Sequence, residues 1–252
     1  MIYTCFNMKY TLLIIATLSS NILIGQMKRW VEPSSIDTTI AFKEITIQLR
    51  PSSSSGFDTY FLSNELIKTL TKDFDNSYQM SLAIEEYQLK KFGSRVRRED
   101  NELFVKIDDG SWLQLRNNPN YDEAGHTFEY YFEKIGFYSI RVQWGEGNGY
   151  KLVNSKTGEI SDIIGRPYFS PDGTLLIALG NDIEAGYSTN GFQLLGNDLG
   201  TLTELGIFLP GSWGCLSAKW LTNNTLILKN QSLEFSDTSS NYFSFYTELE
   251  IK

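Results

Sequence analysis

The residues of this chain best suited to chemistry lie within ten positions: Asn181, Asp182, Glu184, Tyr187 and Asn190. They bring two carboxylates, two amides and a phenol together, with Gly180, Gly186 and Gly191 around them. Alternating oxygen ligands on a glycine-hinged loop can coordinate calcium or hydrogen-bond a polar ligand. The spacing of an EF-hand is missing, however, and acids in such a loop ordinarily serve only to be solvated. Asp182, Glu184, Tyr187 and Asn190 are therefore the candidate ligand-binding set, and neither a metal nor a cofactor is expected on them.

Other catalytic chemistry finds little support. His126 is the only histidine, and it falls in a polar stretch, Asn117 to Thr127, that reads as a loop. A general base needs a partner to hold it and a nucleophile to face, and no Gly-x-Ser-x-Gly, His-Glu-x-x-His or paired-cysteine pattern supplies one. Cys215, between Trp213 and Leu216, reads as a small buried hydrophobe. Carboxylates are numerous enough for a two-acid glycosidase, but that mechanism requires two of them about 5 to 9.5 Å apart in a cleft. No local pattern predicts such a pair, so no catalytic residue is assigned. Tyr130, Tyr131, Tyr138, Trp144 and Tyr150 cluster in sequence; most belong in a core, and any left exposed could stack on sugars or on a protein.

Charge narrows the partners. The chain has 22 basic and 30 acidic residues, a formal net charge of −8, and phosphate backbones require a basic face. The one basic cluster, Lys90, Lys91, Arg95, Arg97 and Arg98, runs directly into Glu99 and Asp100 and reads as a solvated segment. Nucleic acid is not an expected partner.

The first 25 residues stand apart: Lys9 is their only charge, Thr11 to Gly25 is mostly apolar, and Leu23-Ile24-Gly25 ends in a small residue before Gln26. This is the composition of a cleaved export signal, and the apolar run is shorter than the roughly 20 residues that span a bilayer. Met8 is an alternative start. Residues 1–25 are thus expected to be a signal peptide, leaving a chain with no membrane span that is exported to the periplasm or the cell exterior. Cys5 leaves with the leader, so no intramolecular disulfide is expected.

Residues 26–100 read as a small α+β region. Ile45, Ile47 and Leu49 alternate between two Pro-Ser segments, as in a strand. Leu66, Ile67, Leu70 and Phe74 recur at helical spacing behind Ser63, a plausible N-cap, and Met80 to Lys91 carries a second helical signal. From residue 101 the period is two. Leu103, Val105 and Ile107 alternate, Asp109-Gly110 marks a tight turn at positive φ, and Trp112 to Leu115 returns. Phe128–Phe132 and Phe137–Trp144 read as further strands.

Residues 101–252 also repeat. Tyr150 to Ile160 matches Phe192 to Leu202 without a gap at an offset of 42, with Gly158 on Gly200. At an offset of 51, Phe169 to Ile177 falls on Trp220 to Leu228 and Gly191 to Leu195 on Tyr242 to Tyr246. Pro171 and Gly173 make Ser-Pro-Asp-Gly a turn, and Leu175 to Leu179, apolar throughout, predicts a strand covered on both faces. A strand-rich unit recurring about every 40 to 50 residues is the mark of propeller-like sheet arrays.

Phe169-Ser-Pro-Asp-Gly-Thr-Leu-Leu, preceded by Asn154-Ser-Lys-Thr-Gly-Glu, resembles the blade signature of WD40-like repeats in TolB-type periplasmic β-propellers. The chain is also similar, through Asp182 to Tyr187 and Asn190-Gly-Phe192, to small exported bacterial proteins of unassigned function. The resemblance implies a binding platform as readily as an enzyme accessory. The expected fold is mainly β: antiparallel, propeller-like sheet repeats, about three units, with a small α+β N-terminal region. Three units do not close a ring, so either Ile45 to Leu115 forms a degenerate fourth blade or, as expected here, the sheets stay open and the N-terminal region caps them. The expected function is a non-enzymatic module that binds a protein or glycan. The alternatives are a carboxylate-dependent hydrolase acting on glycans and a secreted inhibitor or immunity-type protein.

Overall fold

The computed structural model describes residues 36–53, 62–117, 125–235 and 240–252. The expected signal peptide lies outside them. Strands β1 (Thr38–Ala41) and β2 (Thr46–Ser52) come first, then helices α1 (Asn64–Thr71) and α2 (Ser77–Phe92). A first sheet follows from β3 (Val96–Glu99), β4 (Glu102–Lys106) and β5 (Trp112–Leu115). The second is β6 (Gly125–Phe132), β7 (Phe137–Trp144), β8 (Gly147–Asn154) and β9 (Ile160–Ile163). The third is β10 (Arg166–Phe169), β11 (Leu175–Gly180), β12 (Gly191–Asp198) and β13 (Thr201–Phe208). The fourth joins β14 (Trp213–Trp220), β15 (Thr225–Phe235) and β16 (Ser240–Ile251) to β2 and β1, in the order β1-β2-β16-β15-β14. All strand pairs are antiparallel. The fold is mainly β, as expected, in repeated meanders.

The sequence matches fall on equivalent strands. The offset of 42 superposes the β8–β9 hairpin on β12–β13, although the first turns through residues 155–159 and the second through Leu199-Gly200, both at positive φ. The offset of 51 lays β10–β11 on β14–β15 and β12 on β16. In the Ser-Pro-Asp-Gly turn, Gly173 adopts φ 75° and its N–H donates to the Ser170 carbonyl at 2.9 Å.

Packing explains why β11 is apolar at successive positions. Leu176 and Ala178 face a cluster with Phe137 and Leu152 of the second sheet, whereas Ile177 and Leu179 face one with Leu226, Leu228 and Phe245 of the fourth. A third cluster joins the first and second sheets around Phe128, Tyr138 and Leu103. The three clusters thus join consecutive sheets, and among the described residues no apolar cluster joins the fourth sheet to the first.

The N-terminal region divides in two. Strand β2 pairs with β16, setting Leu49 opposite Leu249, and both are completely buried. Each such side chain contributes about 1.5–3 kcal/mol by leaving water. Strand β3 instead pairs with β4 across the 100/101 boundary read from sequence. Ser63 and Asn76 cap the two helices, accepting from Leu66 N–H at 3.2 Å and Tyr78 N–H at 2.8 Å.

Helix α2 buries a largely polar stripe, Ser81, Ile84, Glu85, Gln88 and Phe92. The reason is its neighbour: it lies against β6, the edge strand of the second sheet. Glu85 accepts the Phe128 N–H at 2.7 Å and pairs with Arg98 at 2.5 Å, while Arg98 donates to the His126 carbonyl at 2.7 Å. An open edge is thereby covered.

Two sequence readings change. The basic cluster is not merely solvated, because Arg98 meets Glu85, Arg95 donates to the Tyr138 hydroxyl at 2.8 Å, and Arg97 stacks on Trp112 at 4.2 Å. In the β4–β5 hairpin only Gly110 takes a positive φ (94°), and its N–H donates to the Ile107 carbonyl. This is a type I turn with a left-handed closing residue rather than a two-residue loop.

Candidate functional site

The loop between β11 and β12 is held from within. The Asp182 carboxylate accepts N–H groups from Ala185 at 3.2 Å, Gly186 at 2.9 Å and Ser188 at 2.6 Å. Partial burial opposes its ionisation, but these backbone donors outweigh that effect and hold its pKa below the usual aspartate value. Asn190 accepts the Asp182 N–H at 3.3 Å and donates to the carbonyls of Pro210 at 3.1 Å and Trp213 at 2.8 Å. Both side chains therefore hydrogen-bond the backbone that shapes this loop and its support.

Glu184 turns toward the fourth sheet, where it accepts the Tyr242 hydroxyl at 2.6 Å. Tyr187 is 60% exposed and leans toward the second sheet. The structure therefore places the four candidate residues in one loop without aiming them at one point.

Tyr187 instead lines a groove of about 370 Å³ with Trp144, Asn148, Gly149, Ile163, Ile164, Gly186, Ser188 and Thr189. One wall is the β7–β8 hairpin of the second sheet, and the other is the β11–β12 loop of the third. Gly145 turns the hairpin at φ 45°, with Trp144 paired to Gly147. The Trp144 indole lies over Gly147 and Gly149: a Cβ at Gly147 would stand 2.6 Å from its Nε1, and one at Gly149 would stand 3.0 Å from the ring. The Tyr187 carbonyl would come within 2.9 Å of the same Gly147 Cβ, and the Asn148 N–H donates to Ser188 Oγ at 2.8 Å. Loop and hairpin are thus locked together. Trp144-Gly-Glu-Gly-Asn-Gly149 reads in sequence only as a turn; the signal for the platform is an aromatic followed by glycines three and five positions on.

His126 requires a correction. It lies in strand β6 and is 3% exposed, with its N–H donated to Asn117 Oδ1 at 2.8 Å and its ring Nδ1 3.3 Å from the same oxygen. The reading as loop fails at Gly125 to Thr127 because these polar residues belong to a strand that pairs with β7, His126 opposite Val142, and whose outer edge is covered by helix α2. Tyr131, Tyr138 and Tyr150 are core, as expected of most of the aromatic cluster.

One polar group was not legible at all. A bulge in β6 between Phe128 and Tyr130 turns Glu129 inward, where it accepts from Arg166 Nη2 at 2.7 Å and from the Tyr150 hydroxyl at 3.0 Å. Burial pushes the Tyr150 hydroxyl well up. Strands β6 and β10 are thereby tied across the second and third sheets.

A further cavity of about 290 Å³ lies among Asn154, Asp172, Gly173, Asp198 and Gly200. Asp172 accepts the Ser170 hydroxyl at 2.7 Å and the Thr174 N–H at 3.1 Å, and the Ser170 bond foremost holds its pKa below the usual value. A glycosidase general acid needs the opposite shift. Among the described residues no three His, Cys, Asp or Glu side chains come together as metal ligands. No described helix is long and apolar enough to cross a membrane. Compared with known proteins, the sequence matches no family model and no curated protein.

Proposed function

We propose that this chain is an exported, non-enzymatic binding module that works in the periplasm or outside the cell, with its ligand in the groove between the second and third sheets. One observation carries the reading: Trp144 and Tyr187 flank a groove built by two different sheets, and among the described residues no carboxylate lines it. Aromatic walls supply contact area at small conformational cost, and a site locked by Asp182 and Ser188 loses little freedom on binding. The hydrolase reading lacks such an observation, since Asp182 and Asp172 are both held ionised by their own turns. The blade-like Ser-Pro-Asp-Gly turn and the repeated meanders support a WD40-like, TolB-type platform.

The test is to immobilise candidate oligosaccharides and uncharged peptides, measure retention of the protein, and assay the same ligands for turnover. Retention that is lost in W144A, with ligands recovered intact, is expected. Released reducing ends or cleaved peptide from wild-type protein would overturn the non-enzymatic reading.

A further inference from the structure

We infer that the groove takes an uncharged sugar, one or two pyranose rings of a neutral glycan; this rests on the binding-module reading above. Among the described residues nine line it, and none of them is Asp, Glu, Lys, Arg or His. A ligand phosphate, carboxylate or ammonium would lose water there with no counter-charge, an arrangement proteins avoid. The chain's net charge of −8 further disfavours anions.

What lines the groove fits the two surfaces of a sugar ring. Trp144, Tyr187, Ile163 and Ile164 present apolar and aromatic surface for the C–H face, and Asn148, Ser188 and Thr189 bring amide and hydroxyl groups for the hydroxyl rim. A wholly aliphatic ligand would strand those polar groups. A peptide would be expected to extend the β9 edge, but just beyond that strand the Ile164 N–H already donates to Gln193 Oε1 at 3.2 Å. The volume of about 370 Å³ sits low in the range of small-molecule sites. The platform is also prebuilt, because Gly147 and Gly149 let the indole lie flat on β8.

Maltotriose, cellotriose and N-acetylchitotriose are the neutral probes, 3′-sialyllactose is the anionic control and tri-alanine amide the peptide control. Each is titrated into the protein with tryptophan fluorescence as readout. A saturable change is expected with at least one neutral trisaccharide, weakened about tenfold or more in W144A and in Y187A and unchanged in L221A, on the far-lying β14–β15 turn. Tyr187 is exposed, so Y187A keeps the test decisive if W144A misfolds. Equal or tighter binding of sialyllactose overturns the inference. Binding of the peptide but of no sugar, with the same dependence on Trp144 and Tyr187, overturns the glycan assignment and leaves the binding groove standing. No binding by any probe to folded protein overturns both.

Discussion

The third sheet meets its two neighbours through the same strand, and the two interfaces differ. Toward the fourth sheet, Ile177 and Leu179 enter a continuous apolar cluster that β2 completes with Ile47 and Leu49. Toward the second sheet, Leu176 and Ala178 join a smaller apolar cluster, the Glu129–Arg166 pair ties the first strands, and the end opens into the Trp144–Tyr187 groove. A seam filled by apolar side chains has no room for a ligand. A seam held partly by polar contacts can leave an end open, and its walls belong to two sheets whose spacing the core fixes.

Breaking the polar seam should have the largest effect. E129A leaves the Arg166 guanidinium without its carboxylate, and urea denaturation should show a loss of about 3–5 kcal/mol, whereas E129L/R166M should recover most of it. Truncating the apolar seam comes next: L49A should cost about 3 kcal/mol, with groove ligand affinity unchanged once the protein is folded.

Loosening the groove wall is smaller again. D182A removes three backbone hydrogen bonds and should cost about 1–2 kcal/mol, with a larger relative loss of ligand affinity. Because the folded-state pKa of Asp182 is depressed, its contribution is present above the unfolded value of roughly 3.9 and is lost as pH falls through the folded pKa. D182A should therefore lose less stability than wild type on acidification below about pH 4, as read from melting temperatures. Smallest is Y242F, which deletes an exposed hydrogen bond to Glu184; about 0.5 kcal/mol or less and no change in the groove are expected.

How much of this was legible in sequence follows from contact range. The meanders and their turns were, because β11, its Ser-Pro-Asp-Gly entry and the hairpins are set by residues within a few positions of one another. The pairing of β2 with β16 was not: Leu49 and Leu249 lie 200 positions apart, and an alternating run does not name its partner. The same gap hid the burial of His126 and the Arg98–Glu85 pair, since polar residues read as solvated until the edge of β6 and helix α2 are brought together. In the candidate loop, the sequence marks Tyr187 but does not show that it faces Trp144, which reads there as one of an aromatic cluster mostly in the core with any exposed member free to stack on a ligand. Asp182 and Asn190 spend their oxygens on the loop itself.

The most direct test of the groove uses the indole N–H resonances of the five tryptophans during titration with the best-binding neutral trisaccharide. The Trp144 signal, identified by its absence in W144F, should shift progressively and saturate while those of Trp112, Trp213 and Trp220 stay in place. A saturable shift at Trp112 or Trp220 with Trp144 unmoved would place the ligand elsewhere and contradict the account.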